Sequence, residues 1–198
     1  MYSIAIELRK GTWMELIRSM EEKDIQIVKE FTDQWIGENY FSVEELFEIF
    51  QLTFHPDVKE SASFLAFVDD ELAGVRLTFA PGIWTKKARG ISPSNWNVKT
   101  EQVAYFKSLF IAEKFQKNGL GKKLSNLSIE KVKEMKGRAI VCHSWLESPH
   151  NSSQRYLQKM GFEEIKNHEK FWYPIDYECT RCSPERCICT ACEMIKYL

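Results

Sequence analysis

Val103-Ala104-Tyr105-Phe106-Lys107-Ser108-Leu109-Phe110-Ile111 leads into Ala112-Glu113-Lys114-Phe115-Gln116-Lys117-Asn118-Gly119-Leu120-Gly121-Lys122-Lys123. The first stretch is the most apolar strand candidate in the chain. The second is a short glycine-bearing turn. A helix follows to about Lys136, with Leu120, Leu124, Leu127 and Met135 as its apolar stripe. A helix start offers unpaired backbone N–H groups and partial positive charge, which favours phosphate. Gly119 and Gly121 allow close backbone approach to an anion. Lys117, Lys122 and Lys123 add charge at the same end. Taken alone, a glycine pair here is equally an ordinary tight turn. The chain has neither G-x-x-x-x-G-K-[ST] nor G-x-G-x-x-G, which disfavours a P-loop nucleotidase or a Rossmann dehydrogenase.

Outward from this segment the chain alternates elements. Residues 3–9 alternate like a strand. Ile25, Val28, Thr32 and Trp35 share one helical face, stopped by Gly37. Ser42-Val43-Glu44-Glu45 has the form of a capping box, and Leu46, Ile49, Phe50 and Phe54 line the helix behind it. Phe64–Val68 and Leu72–Phe79 flank a polar turn, which predicts a hairpin. Residues 80–101 read as a long loop that exposes Trp84 and Trp96. Ala139–Trp145 is a strand and Pro149–Met160 a short helix. Phe162–Tyr173 is an interrupted strand, and Met194–Leu198 a last one.

The 198 residues fit one domain with an appendage. The net charge of -1 argues against general nucleic-acid binding. That value is a cancellation. Residues 1–70 hold fifteen acids against six bases, and residues 107–138 hold three against nine. The acidic region suits a cationic partner, or is simply a solvated helix face. No apolar run reaches the ~20 residues of a membrane span, and the N-terminus lacks the form of a secretory signal. A cytoplasmic protein without membrane or nucleic-acid partners is expected. Its cysteines are then thiols, catalysts or metal ligands.

Ser108-Leu109-Phe110-Ile111 with Gln116-Lys117-Asn118-Gly119-Leu120-Gly121 resembles the acyl-CoA-binding motif of the GNAT N-acetyltransferase superfamily, Q/R-x-x-G-x-G/A after a strand. Asn151-Ser152-Ser153-Gln154-Arg155-Tyr156-Leu157-Gln158-Lys159-Met160-Gly161-Phe162 is similar to the family's later helix, which ends in K-x-G-F. The element order matches over roughly residues 3–173 plus the last strand. The resemblance implies an α/β (α+β) fold, a mixed, splayed central sheet flanked by helices. It implies transfer of an acetyl (acyl) group from acetyl-CoA to a primary amine of a small molecule, protein or peptide. Backbone groups of Leu109, Phe110 and Ile111 would pair with the pantetheine arm. Amides from Gln116, Lys117, Asn118, Gly119, Leu120, Gly121 and Lys122 would hold the pyrophosphate. Asn151 and Ser153 would sit beside the pantetheine or the sulfur. A homodimer is compatible with the pattern.

The chain departs from the family at the acid and base. The family's general-acid Tyr lies four residues before the glycine of K-x-G-F, a position held here by Leu157. Tyr156 is one residue, or about 100° of helix, away. The carboxylate some members carry eleven residues before the Q/R is Tyr105 here, and the family's frequent Asn is His150. Glu101, Tyr105, Ser108 and His143 stand as candidates for acid–base work. The other reading of these departures is a non-catalytic CoA-binding or zinc-stabilised interaction module on this scaffold.

Residues 177–192 form a cysteine-rich insert within the 1–198 domain. Cys179-x-x-Cys182-x4-Cys187-x-Cys189-x-x-Cys192 places five cysteines in fourteen residues. Soft sulfur ligands at this spacing predict a structural Zn2+ site on Cys179, Cys182, Cys187 and Cys189, with Cys192 as alternate ligand and an iron–sulfur cluster as second option. Free thiols or disulfides are the bland readings.

Overall fold

The computed structural model describes residues 6–10, 13–38, 40–85, 88–175 and 178–198. Parts of the expected strand over 3–9, the loop over 80–101 and the insert over 177–192 (residues 3–5, 86–87 and 177) lie outside these. Eight strands form one mixed sheet in the order β1-β2-β3-β4-β5-β6-β8-β7. They are β1 (Ile6–Lys10), β2 (Trp13–Ser19), β3 (Phe64–Val68), β4 (Glu71–Phe79), β5 (Val103–Ile111), β6 (Ala139–Trp145), β7 (Glu163–His168) and β8 (Ala191–Tyr197). Among the described residues four α-helices accompany them: α1 (Ile25–Trp35), α2 (Val43–Gln51), α3 (Leu120–Glu134) and α4 (Ser152–Lys159). None of the described helices is long and apolar enough to cross a membrane.

The capping box at α2 is present in full, with Ser42 Oγ accepting from Glu45 N–H and Glu45 accepting from Ser42 N–H. The 64–79 hairpin also forms. The strand β2 was not expected. Its side chains mix polarity on both faces, so Met14-Glu15-Leu16-Ile17-Arg18 gives no clean period-two signal, and its pairing with β1 and β3 decides its state.

The loop tryptophans are not exposed as expected. Trp84 and Trp96 are 1% and 0% accessible. Each indole N–H has a buried partner, the Val103 carbonyl at 2.8 Å and the Glu193 carboxylate at 2.8 Å. Burial of such rings stabilises only when the N–H is satisfied, and both partners come from distant sequence. The loop therefore packs as part of the core.

Sheet pairing is antiparallel throughout except for the parallel β5–β6 pair. That pair runs only from Val103↔Ala139 to Phe106↔Cys142. Beyond it β5 stays bound to β4 as far as Ile111, and β6 to β8 as far as Trp145. The two strands thus diverge, and the sheet splays as expected. The divergence starts at Lys107, where β5 bulges: Thr78 pairs with Phe106 and Leu77 with Ser108, leaving Lys107 as the extra residue.

Candidate active site and cysteine cluster

The splay opens a cleft of about 360 Å³. Ser108 and Leu109 of β5 line one wall, His143 and Trp145 of β6 the other, and Ser153 and Tyr156 of α4 the roof. Among the described residues, the inner edge of β5 over 107–111 has no strand partner on this side. Its backbone groups are available to an extended ligand arm, because unpaired N–H and C=O groups seek partners.

The expected phosphate cradle lies at the far end of β5. Gly119 caps α3 with φ +80°, in the left-handed region, and Lys117 has φ +64°. A Cβ at Gly119 would meet nothing within 4 Å, so conformation and not space calls for glycine. At Gly121 the surroundings are close: a Cβ would lie 3.2 Å from Leu109 Cδ2, which would have to shift by a few tenths of an ångström. Gln116 Nε2 donates to the Ile111 carbonyl at 3.0 Å, tying the loop to the strand. Lys117 and Lys122 are exposed. Lys123 is committed elsewhere, bound to the Glu15 carboxylate at 2.6 and 2.7 Å, so two of the three lysines remain for a phosphate.

The candidate acid–base residues do not all gather. Ser108 lines the cleft. Glu101 does not: it lies in the short turn Thr100–Gln102 before the opposite end of β5. Tyr105 lies on the face opposite Phe106, stacked on Trp84 at 4.7 Å, and its hydroxyl donates to His143 Nδ1 at 2.8 Å. His143 Nε2 in turn donates to the Gly90 carbonyl at 2.6 Å. A carbonyl only accepts, so the proton sits on Nε2 and Nδ1 accepts from Tyr105. Burial raises Tyr105 and pushes His143 down to about 4, with the Gly90 hydrogen bond acting the other way. Asn151, with φ +51°, donates to Gln154 Oε1 at 2.5 Å, and Ser153 Oγ accepts from Trp145 N–H at 3.2 Å.

The neutral His143 has a measurable consequence. Between about pH 4 and 6.5 the unfolded chain holds a proton there that the folded chain does not. The contribution is complete above the ordinary value of 6.5 and is lost as pH falls toward 4. Its size is at most about 3 kcal/mol. In H143Q the stability lost between roughly pH 7 and 4.5, read by urea titration, should shrink by about 2 kcal/mol. Equal losses in both proteins would refute the assignment.

Sequence reasoning passed over three groups. Glu193 on β8 is fully buried and accepts from Ser92 N–H, Trp96 Nε1 and His168 Nε2 at 2.9, 2.8 and 3.2 Å. Burial alone would push it up, but these donors hold it below its ordinary value. Tyr156 was set aside for its one-residue offset. It nonetheless lines the cleft, with its hydroxyl 2.9 Å from the Gly121 carbonyl and 2.8 Å from Ser125 Oγ; Leu157 beside it, 6% exposed, borders the cleft too but carries no polar group. Arg76, on β4, reaches the same Ser125 hydroxyl from beneath.

The sulfurs of Cys179, Cys182, Cys187 and Cys189 all lie within 4.8 Å of one another. Cys189 is 4.0 Å from Cys179 and 3.6 Å from Cys182. Sulfurs bound tetrahedrally at about 2.3 Å would be about 3.8 Å apart, so the set fits such an ion. None of the four forms a disulfide. Cys192 belongs to β8 and packs with Cys142 in the core, which separates it from the set. Trp145 packs against the cluster, and its indole hydrogen-bonds Cys189.

A sequence profile of the acetyltransferase (GNAT) family matches residues 25–162, and the chain belongs to that family. The match ends before the cysteine cluster. No curated protein matches the sequence. Among solved structures, an acetyltransferase of the GNAT family from Streptococcus pneumoniae is similar at 18% identity and TM-score 0.64, with 93% of this chain and 99% of that one covered. Naa50 of Arabidopsis thaliana, in complex with the bisubstrate analogue CoA-Ac-MVNAL, aligns at 12% identity and TM-score 0.63 over 93% and 99%. The ribosomal-protein-S18-alanine N-acetyltransferase of Escherichia coli aligns at 13% and 0.63 over 92% of each. At these identities the likeness is one of fold.

Proposed function

We propose that the protein transfers an acetyl group from acetyl-CoA to a primary amine. The observation that carries this reading is the unpartnered inner edge of β5, running from the α3 N-terminus to a cleft roofed by Tyr156. The pantetheine amides pair with Leu109–Ile111. The pyrophosphate rests on the amides of 117–121, with Lys117 and Lys122 beside it. The thioester then lies in the splay, where the amine attacks its carbonyl. The reaction asks mainly for positioning and for a proton at the leaving sulfur. Tyr156 supplies that proton: a phenol one residue earlier on α4 does the work of the expected position.

The acceptor approaches from the side where Tyr40, in the α1–α2 connection, stands edge-on to Phe110 at 5.7 Å. Tyr40, Val43 and Phe47 are exposed there, which suits an acceptor with apolar groups next to its amine. Release of free thiol from acetyl-CoA against a panel of amines and short peptides tests the reading. In the Tyr156→Phe variant kcat should fall about 100-fold with KM for acetyl-CoA within two-fold. The cleft-lining residues include no carboxylate, which favours the second reading, a CoA-binding module without turnover. Tight CoA binding and no thiol release with any acceptor would select it.

The cysteine set holds one structural Zn2+ in this reading. It pins the passage from the end of β7 to β8, and its reduced thiols suit the cytoplasm.

A further inference from the structure

Arg76 is 3% exposed, and no carboxylate lies within ion-pair distance of it among the described residues. A buried arginine is ordinarily paired, since an uncompensated charge in the interior is costly. Its guanidinium lies 4.0 Å over the Phe106 ring, and burial brings its pKa down to about 10. Nε and Nη2 donate to Ser125 Oγ at 3.3 and 2.8 Å. The residue borders the cleft. The arrangement fits a negative charge that is absent at rest and appears during the reaction.

Donor and acceptor arithmetic orders the chain of bonds. Arg76 can only donate. Ser125 accepts from it and turns its own hydrogen to the Tyr156 oxygen, 2.8 Å away. Tyr156 turns its hydrogen to the Gly121 carbonyl at 2.9 Å. The phenol O–H therefore ends a chain that starts at a cation, and it is the hydrogen that can swing to a ligand in the cleft.

We propose that Arg76, acting through Ser125, is a positioning residue that aims Tyr156 at the departing sulfur and stabilises the negative charge formed there. This rests on the acetyl-transfer reading. The amine lone pair forms the C–N bond, and the C–S bond breaks with its electron pair going to sulfur. The Tyr156 proton moves to sulfur and gives the free thiol of CoA. The phenolate left behind keeps the Ser125 hydrogen bond and lies in the field of Arg76. The acylated amine loses its extra proton to water, and the phenolate recovers one from water. No net charge or proton is left over.

The test is kcat and KM for acetyl-CoA in R76Q, R76K, S125A, Y156F and R76Q/Y156F, with a thermal midpoint for each. R76Q should lower kcat about 30-fold and leave KM within two-fold, because the charge matters once it develops. R76K should recover several-fold of that loss. S125A, read beside its thermal midpoint, should cost about 10-fold in kcat. Adding R76Q to Y156F should cost less than two-fold, since residues acting as a unit are not additive. Wild-type kcat in S125A, or a full extra loss in the double variant, would overturn the role of Arg76 while leaving acetyl transfer intact. Wild-type kcat in Y156F would remove both tyrosine and arginine from the chemistry. No turnover by the unaltered protein with any acceptor would overturn acetyl transfer and this proposal together.

Discussion

Glutamate in place of Gly119 is expected to weaken acetyl-CoA binding by at least 100-fold, measured by calorimetry, while the protein stays folded. The position has φ +80°, where a side chain costs about 1 kcal/mol. The space around it is open, so nothing in the fold is displaced. The loss comes from charge. A carboxylate at the start of α3 sits among the orphan N–H groups and repels the pyrophosphate. Two unit charges about 4 Å apart near a protein surface interact by about 4 kcal/mol, and a 100-fold loss needs about 2.7 kcal/mol. Gly119→Asn is the control. Asparagine tolerates the left-handed region and carries no charge, so its loss should stay within about five-fold. An unchanged affinity in the glutamate variant would place the pyrophosphate elsewhere.

Removing the metal should have the largest effect on stability. Elemental analysis is expected to find about one zinc per chain, and a strong chelator or Cys189→Ala should lower the thermal midpoint by about 10 °C or more. The reason is that a bound ion would cross-link four points of the insert, so its binding free energy is also folding free energy. The cysteine side chains there pack with each other and with Trp145 and Trp172. Cys192→Ala should keep its zinc, because that side chain is in the core with Cys142. A metal-free protein with the same midpoint would sink the site, and loss of zinc on changing Cys192 would sink the choice of ligands.

The order of elements could be read from the sequence because each has a local signal. Ser42 and Glu45 announce α2, the polar turn at 69–71 announces the hairpin, and Gly119 and Gly121 mark the turn into α3. The grouping of Cys179, Cys182, Cys187 and Cys189 was readable for the same reason, as their spacing is short. The features left unread depend on distant partners. Trp84 and Trp96 look like loop residues until Val103 and Glu193 supply their acceptors. The bulge at Lys107 carries no glycine or proline to betray it, and only the registers of β4 and β5 reveal it. Counting back from Gly161 did not place Tyr156 in the cleft lining. Such counting fixes a direction on a helix but not the reach of the phenol, nor the entry of α4 through two left-handed residues, His150 and Asn151. Arg76 reads as the one charged residue within the otherwise mostly apolar Leu72–Phe79, and its meaning depends on α3 and α4 closing over it.

Trp145 stands between the two sites, with its indole on Cys189 and its residue in the cleft wall. Shared walls oblige reciprocity. Whatever factor metal occupancy brings to the affinity of the cleft, occupancy of the cleft must return to the metal. If an ion at the cysteines raises the affinity of the cleft for the donor, the donor in turn tightens the binding of that ion by the same factor.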